Sequence, residues 1–335
     1  MTQLQVRDLH VWFDLGHGQE LHAVQGVDLE LDQGERVGLV GESGCGKTTT
    51  VLAIMGLLPP NAWVAGSVLL DGEDLLRRGE ETVAAHRWKD VAMVFQGAMN
   101  ALNPVKTVGW QLREPMELHG VASGSRADAR VRELLGLVGL PASAAGRYPH
   151  EFSGGMRQRA TIAMALACGP KVLLADEPTT ALDVMVQAQI LELLVKLTDE
   201  LGLTLLLVTH DLPVVAQLCQ RATVMYAGMV AEAGPIDDLY HQPCHPYTRL
   251  LFAATPDLYG DQDVSWIRGA PPRLDEPIRG CPFQPRCDRA FERCPHERPL
   301  ARQVGPVHSA ACHLNDLDGG VRPAGGPAGG ARSRP

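Results

Sequence analysis

One octapeptide, Gly41-Glu42-Ser43-Gly44-Cys45-Gly46-Lys47-Thr48, constrains this chain more than any other stretch. The apolar run Arg36-Val37-Gly38-Leu39-Val40 precedes it and has the composition of a buried strand. Thr49-Thr50-Val51-Leu52-Ala53-Ile54-Met55 follows and suits a helix. Strand, glycine-rich turn and helix are the setting that a G-x-x-x-x-G-K-[ST] pattern needs. Gly41, Gly44 and Gly46 let the backbone wrap a polyphosphate without Cβ clashes. Backbone N–H groups from Ser43 and Cys45 through Thr49 then point at the anion, and the helix field favours it. Lys47 can reach the β- and γ-phosphates, and the Thr48 hydroxyl can ligate Mg²⁺.

With 335 residues, 45% of them hydrophobic, the chain can bury a sizeable core in one large domain or two smaller ones. Its net charge of −9 disfavours a nucleic-acid partner, which usually meets a basic face. The best apolar run, Leu203 to Val208, is strand-sized and far short of a bilayer span. Met1 to Asp8 carries no basic segment followed by an apolar core, so no secretory signal is expected. A cytosolic protein that meets membranes only through a partner is expected. Of eight cysteines, Cys45, Cys168, Cys219 and Cys244 are scattered, while Cys281, Cys287, Cys294 and Cys312 cluster late. In a reducing compartment such a cluster suggests metal rather than disulfides.

Alternation of apolar residues predicts strands over 4–11, 24–31 and 37–40. Gly66 to Gly72 reads as a strand ending in an Asp-Gly turn, and Val91 to Phe95 as a buried strand ending at Gln96. Helical spacing covers 107–119 and 126–138, and Ser153 caps a third helix to Ala167. Strands at 171–175, 203–208 and 222–226 then alternate with helices capped by Asp183 and spanning 211–219. The expected fold is α/β: a nucleotide-binding core with an antiparallel β subdomain, a helical insertion over about 97–168, and a small Cys-rich C-terminal extension. Residues 1–254 form the main domain and 255–318 the extension. The Gly/Pro/Ala/Arg-rich tail 319–335 is expected to be disordered.

Two further motifs carry chemistry. Lys171-Val172-Leu173-Leu174-Ala175-Asp176-Glu177 is an apolar strand that delivers two carboxylates to the ligand edge of a sheet. Asp176 can hold Mg²⁺, and Glu177 can orient and polarise an attacking water. Phe152-Ser153-Gly154-Gly155-Met156-Arg157-Gln158-Arg159 makes a second anion site at a helix start. One nucleotide does not need two such sites from one chain, so the second is read as serving a nucleotide bound on another protomer.

Through residues 4–252 the chain resembles the ATP-binding subunits of ABC transporters. The phosphate loop, Gln96, the 152–156 signature, Asp176, Glu177, Asp183 and His210 occur in that family's order. The resemblance implies that Phe13, or neighbouring Trp12, stacks on adenine. Gln96 would sense Mg²⁺ and the transport partner, and His210 would contact the γ-phosphate. Asp183 would couple the two sites, and Ser153, Gly154 and Gly155 would touch ATP across a dimer. Phe152 and Cys45 stand where leucine and serine are commoner. At both, backbone geometry matters more than the side chain.

A narrower resemblance, to the oligopeptide/dipeptide/nickel import branch, rests on Asn100-Ala101-Leu102-Asn103-Pro104, His245 to Leu251, Gly280 to Phe283, Pro285-Arg286-Cys287, Cys294, His308 and Cys312-His313. The cysteines are separated by five, six and seventeen residues, wider than the close pairs of most zinc sites. Members with this pattern are associated with iron–sulfur clusters. A structural 4Fe–4S cluster is therefore expected ahead of zinc, with disulfides or plain buried thiols third. His308 and His313 are read as loop residues or outer partners, less readily as a replacement ligand.

The resemblance thus implies an ATPase subunit of a peptide importer on the cytoplasmic face of a membrane. A second ATPase subunit, two permease subunits and an external solute-binding protein would be its partners. A non-transport ATPase acting on nucleic acid or ribosomes is the rival, and nickel or another small solute the alternative cargo.

Overall fold

The computed structural model describes residues 1–77, 80–97, 101–254 and 267–317. Two long antiparallel strands open it, β1 (Thr2–Gly16) and β2 (Gln19–Asp32). Leu4, Val6, Leu9 and Val11 on the first, and Val24, Val27, Leu29 and Leu31 on the second, are buried. Most positions between them are more exposed, as a sheet covered on one face requires. Strand β3 (Arg36–Val40) leads through the glycine-rich loop into α1 (Lys47–Ile54). Strands β4 (Ala62–Leu70) and β5 (Glu73–Asp74) complete a four-stranded antiparallel sheet, order β2-β1-β4-β5. Asp71 and Gly72 join them at φ of 49° and 85°, the type I′ geometry that Asp-Gly favours.

Helix α2 (Glu80–His86), which local spacing did not announce, precedes β6 (Val91–Val94). The insertion follows as α3 (Val108–Leu118), α4 (Gly124–Leu137) and α5 (Gly154–Ala165). Thr107 and Ser153 cap the first and third through hydrogen bonds from Trp110 and Met156 N–H, each cap worth about 1 kcal/mol. Strand β7 (Val172–Asp176), helix α6 (Val184–Leu201), strand β8 (Thr204–Val208), helix α7 (Leu212–Leu218) and strand β9 (Arg221–Tyr226) restore the alternation. Strand β10 (Met229–Pro235) and helices α8 (Ile236–His241) and α9 (Pro246–Ala253) end this portion.

In the second sheet β9-β3-β8-β7-β6 run parallel. Every residue of β6, β7 and β8 is buried, as strands covered on both faces must be. One apolar core joins the first sheet to α1 and the near face of the second, through Val11, Val51, Ile54, Leu174 and Val208. The other lies under the insertion helices, around Leu112, Met116, Leu134, Leu194 and Leu207. A buried leucine of this kind contributes roughly 2 kcal/mol.

The C-terminal residues join this sheet. Strands β11 (Arg302–Gly305) and β12 (His308–Ala310) form a hairpin whose second strand pairs with β10, and α10 (Leu314–Leu317) follows. His308, expected in a loop, is a fully buried strand residue whose Nε2 sits 2.7 Å from Oε1 of fully buried Glu232. Glu232 also accepts the N–H groups of Cys244 (2.6 Å) and His245 (3.0 Å), which ties three segments together. Asn100 of the expected motif, the 254/255 boundary on its C-terminal side and the tail 319–335 lie outside the described residues.

Candidate active site

Parallel register sets the site. Leu39 pairs with Val208, Val208 with Asp176, and Ala175 with Val94. The carboxyl ends of β3, β8, β7 and β6 therefore share one edge, which receives loop 41–48, His210, Asp176-Glu177 and Gln96.

In the loop, Gly41 has φ 147°, and a Cβ there would meet the Met225 carbonyl at 2.2 Å. Gly46 caps α1 at φ 103° with no side-chain hydrogen bond, which leaves the helix-start N–H groups for an anion. Lys47 is 6% exposed, and its ammonium donates to the carbonyls of Gly41 (2.7 Å) and Glu42 (3.0 Å). Cys45 turns its thiol inward, where burial pushes it up. Ser43, Gly44 and Thr48 are exposed, and Thr49 is half-buried.

Asp176 is 1% exposed, and neither carboxylate oxygen has a hydrogen-bond partner. Burial pushes this carboxyl up, and the nearby Thr48 hydroxyl and Lys47 charge offset only part of that. A buried carboxylate without donors, beside a hydroxyl at a helix start, fits a hard divalent cation. Thr48, Asp176 and Gln96 would hold Mg²⁺ here.

Glu177 sits at φ 42°, a costly conformation for a non-glycine residue. Three side chains hold it there. Gln96 Nε2 donates to Oε2 (2.7 Å), the Thr180 hydroxyl donates to Oε2 (3.0 Å), and His210 Nδ1 lies 3.0 Å from Oε1. Burial pushes its carboxyl up, but the His210 and Thr180 hydrogen bonds and the His210 and Lys47 charges outweigh that, and the net direction is down. Such a group stays ionised and can accept a proton from water. Thr180 was not foreseen, because nothing in local spacing marks it.

Among the described residues no hydrogen bond joins the signature to this group. The hydroxyl of exposed Ser153 accepts from Met156 N–H, at 3.3 Å, and the Arg147 guanidinium stacks 5.0 Å over Phe152. A Cβ on Gly155 would meet Val186 at 2.7 Å, so this glycine lets α5 approach the start of α6. Asp183 caps α6 through Val186 N–H (3.0 Å). Of the two candidate aromatics, Phe13 packs against the core that contains Cys45 and Val51. Trp12 stacks instead on His22 (4.5 Å) and Trp63 (6.0 Å). Phe13 thus lies on the core side of β1 and Trp12 on the other.

Cys281, Cys287, Cys294 and Cys312 line one cavity, together with His245 and His313. Burial pushes Cys281 up to about 11 and Cys312 to about 12, and raises Cys287. Arg289 N–H points at the Cys287 sulfur at 3.4 Å. His313 Nε2 is taken by the Glu297 carbonyl (2.8 Å).

A glycine-rich loop at a helix start, a buried acidic strand end and an ionised carboxylate held for water define a P-loop nucleoside-triphosphate hydrolase. Residues 24–180 match the ABC transporter family, and residues 231–294 match the oligopeptide/dipeptide transporter C-terminal region. The chain is 46% identical over 315 residues to a probable peptide ABC transporter ATP-binding protein of Sinorhizobium fredii, covering 92% of this chain and 94% of that one. It is 46% identical to the dipeptide transport ATP-binding protein DppD of Bacillus subtilis, covering 93% and 95%. A cassette solved as a dimer in a post-hydrolysis state with ADP and Pi matches with TM-score 0.62 and 31% identity, over 70% of this chain and 98% of that one. The chain belongs to the ATP-binding proteins of the ABC transporter family, and it is an ATPase.

Proposed function

We propose that this chain is the ATP-hydrolysing subunit of a membrane importer for peptides, driven by head-to-tail closure of two cassettes on two ATP molecules. The carrying observation is that Gln96, Glu177 and His210 gather on one sheet edge beside the phosphate loop, while the exposed Ser153, among the described residues, bonds only its own helix. Such a site is completed by a second protomer. Phe13 stacks on adenine. Loop 41–48 and Lys47 cradle the phosphates, and Ser153, Gly154 and Gly155 of the mate face the same nucleotide. Glu177 takes a proton from the attacking water, His210 contacts the γ-phosphate, and Asp183 couples the two sites. Thr48, Asp176 and Gln96 would hold Mg²⁺, which would supply positive charge beside the terminal phosphates.

Peptide as the cargo is supported by the C-terminal family match and by the relatives' names. Exposed Phe95, Val105 and Trp110 follow or flank Gln96 and offer an apolar surface to permease subunits. No helix among the described residues is long and apolar enough to cross a membrane. In this reading permease subunits seat the chain at the cytoplasmic face, and a solute-binding protein acts from the other side. In vesicles carrying the permeases, ATP turnover should rise when a peptide-loaded binding protein is supplied. A response to nickel alone, or recovery with ribosomes or nucleic acid instead of permeases, overturns the reading.

The four C-terminal cysteines would hold a 4Fe–4S cluster. Their shared cavity and the N–H aimed at the Cys287 sulfur support a cluster ligand set. The wide sequence gaps disfavour zinc. Protein purified without oxygen should carry about four iron atoms per chain. One zinc per chain, or no metal, overturns this assignment.

A further inference from the structure

Glu42 poses an electrostatic problem. It is an acidic side chain inside a loop built to receive a polyphosphate, and like charges repel at such range. The structure resolves it from 244 residues away. Arg286 meets Glu42 as a fork, Nη1 to Oε2 at 2.6 Å and Nη2 to Oε1 at 2.9 Å. The guanidinium side chain is 5% exposed. Its remaining donors are used as well: Nε on the Arg268 carbonyl (2.9 Å), Nη1 on the Tyr226 hydroxyl (3.2 Å) and Nη2 on the Ile267 carbonyl (3.4 Å). A planar fork so satisfied has one orientation available.

Glu42 is gripped on its backbone too. Its N–H donates to the Tyr247 hydroxyl (2.9 Å), and its carbonyl accepts from Lys47 (3.0 Å). Tyr226, Tyr247 and Phe283 pack on one another with ring centres 4.6 to 5.3 Å apart, which makes a rigid seat under the fork. Arg286 stands on the short turn Gln284–Arg286, between Cys281 and Cys287.

We propose that Arg286 is a positioning residue of the ATP site, and that the C-terminal segment thereby completes the phosphate loop. The fork cancels the Glu42 charge and turns its carboxylate away from the phosphates. It also fixes the Glu42 carbonyl on which Lys47 rests. This role does not depend on what fills the cysteine cavity.

The test is MgATP binding by the full-length chain, read with a fluorescent ATP analogue and with steady-state kinetics. Arg286→Gln should weaken nucleotide affinity about tenfold, within the usual range of coupling between sites. KM for ATP should rise with kcat little changed. Adding Glu42→Gln to Arg286→Gln should recover most of the affinity, because the repelling charge is gone. Should Arg286→Gln not fold, by circular dichroism, Arg286→Lys keeps the charge but loses the fork, so it should weaken affinity measurably but by less than Arg286→Gln is expected to. Wild-type affinity in a folded variant with a lowered melting temperature would show a merely structural bridge and overturn the proposal. So would a double variant that binds no better than Arg286→Gln.

Discussion

Glu177→Gln is expected to bind MgATP as the wild type does and to lose at least a hundredfold in turnover, at the low end of what a positioned base contributes. The amide is isosteric, so the loop and its nucleotide contacts stay. It cannot take a proton, and its NH₂ would face the donors of Gln96 and Thr180, which the carboxylate now accepts. In the proposed cycle hydrolysis reopens the closed pair, so the variant should accumulate as an ATP-loaded dimer. Phosphate release and light scattering with MgATP read both effects, and unchanged turnover would contradict the role given to Glu177. The folded carboxyl lies below its ordinary 4.5, so activity should be lost through its protonation only as pH falls below that value.

Lys47→Ala should cost at least about a hundredfold in ATP affinity, since charge-assisted bonds to phosphate are among the strongest in a site of this type. The ammonium is nearly buried and rests on two carbonyls of the loop. It is therefore already held within the loop, with little side-chain freedom left to lose on binding. Differential scanning fluorimetry gives the readout. MgATP at concentrations that raise the wild-type melting temperature should leave the variant unmoved, because stabilisation scales with the logarithm of ligand over Kd. A wild-type shift would sink the assignment.

What was legible in the sequence was local. The loop and its flanking strand and helix show in a dozen residues, and the caps Ser153 and Asp183 announce their helices. Convergence of Gln96, Glu177 and His210 across 81 and 33 residues comes from parallel register, which no window of sequence displays. The family resemblance supplied it. Short strands β10, β11 and β12 escaped because antiparallel pairs of three to seven residues leave little alternation to read. His308 escaped with them, since its burial depends on a partner strand and on Glu232. Phe13 and Trp12 are adjacent in sequence, and only the packing of the strand's two faces separates their surroundings. Glu42 and Arg286 each sit inside a recognised motif, yet nothing in either motif names the other.

The hairpin β11–β12 has a consequence for assembly. It covers the flank of β10, whose peptide groups would otherwise offer a template to foreign strands. The sheet then stops at a four-residue strand that begins with exposed Arg302, a poor substrate for extension. Copies of this protein are thereby steered away from edge-to-edge stacking on that side, so that encounters between them are left to helix and loop surfaces.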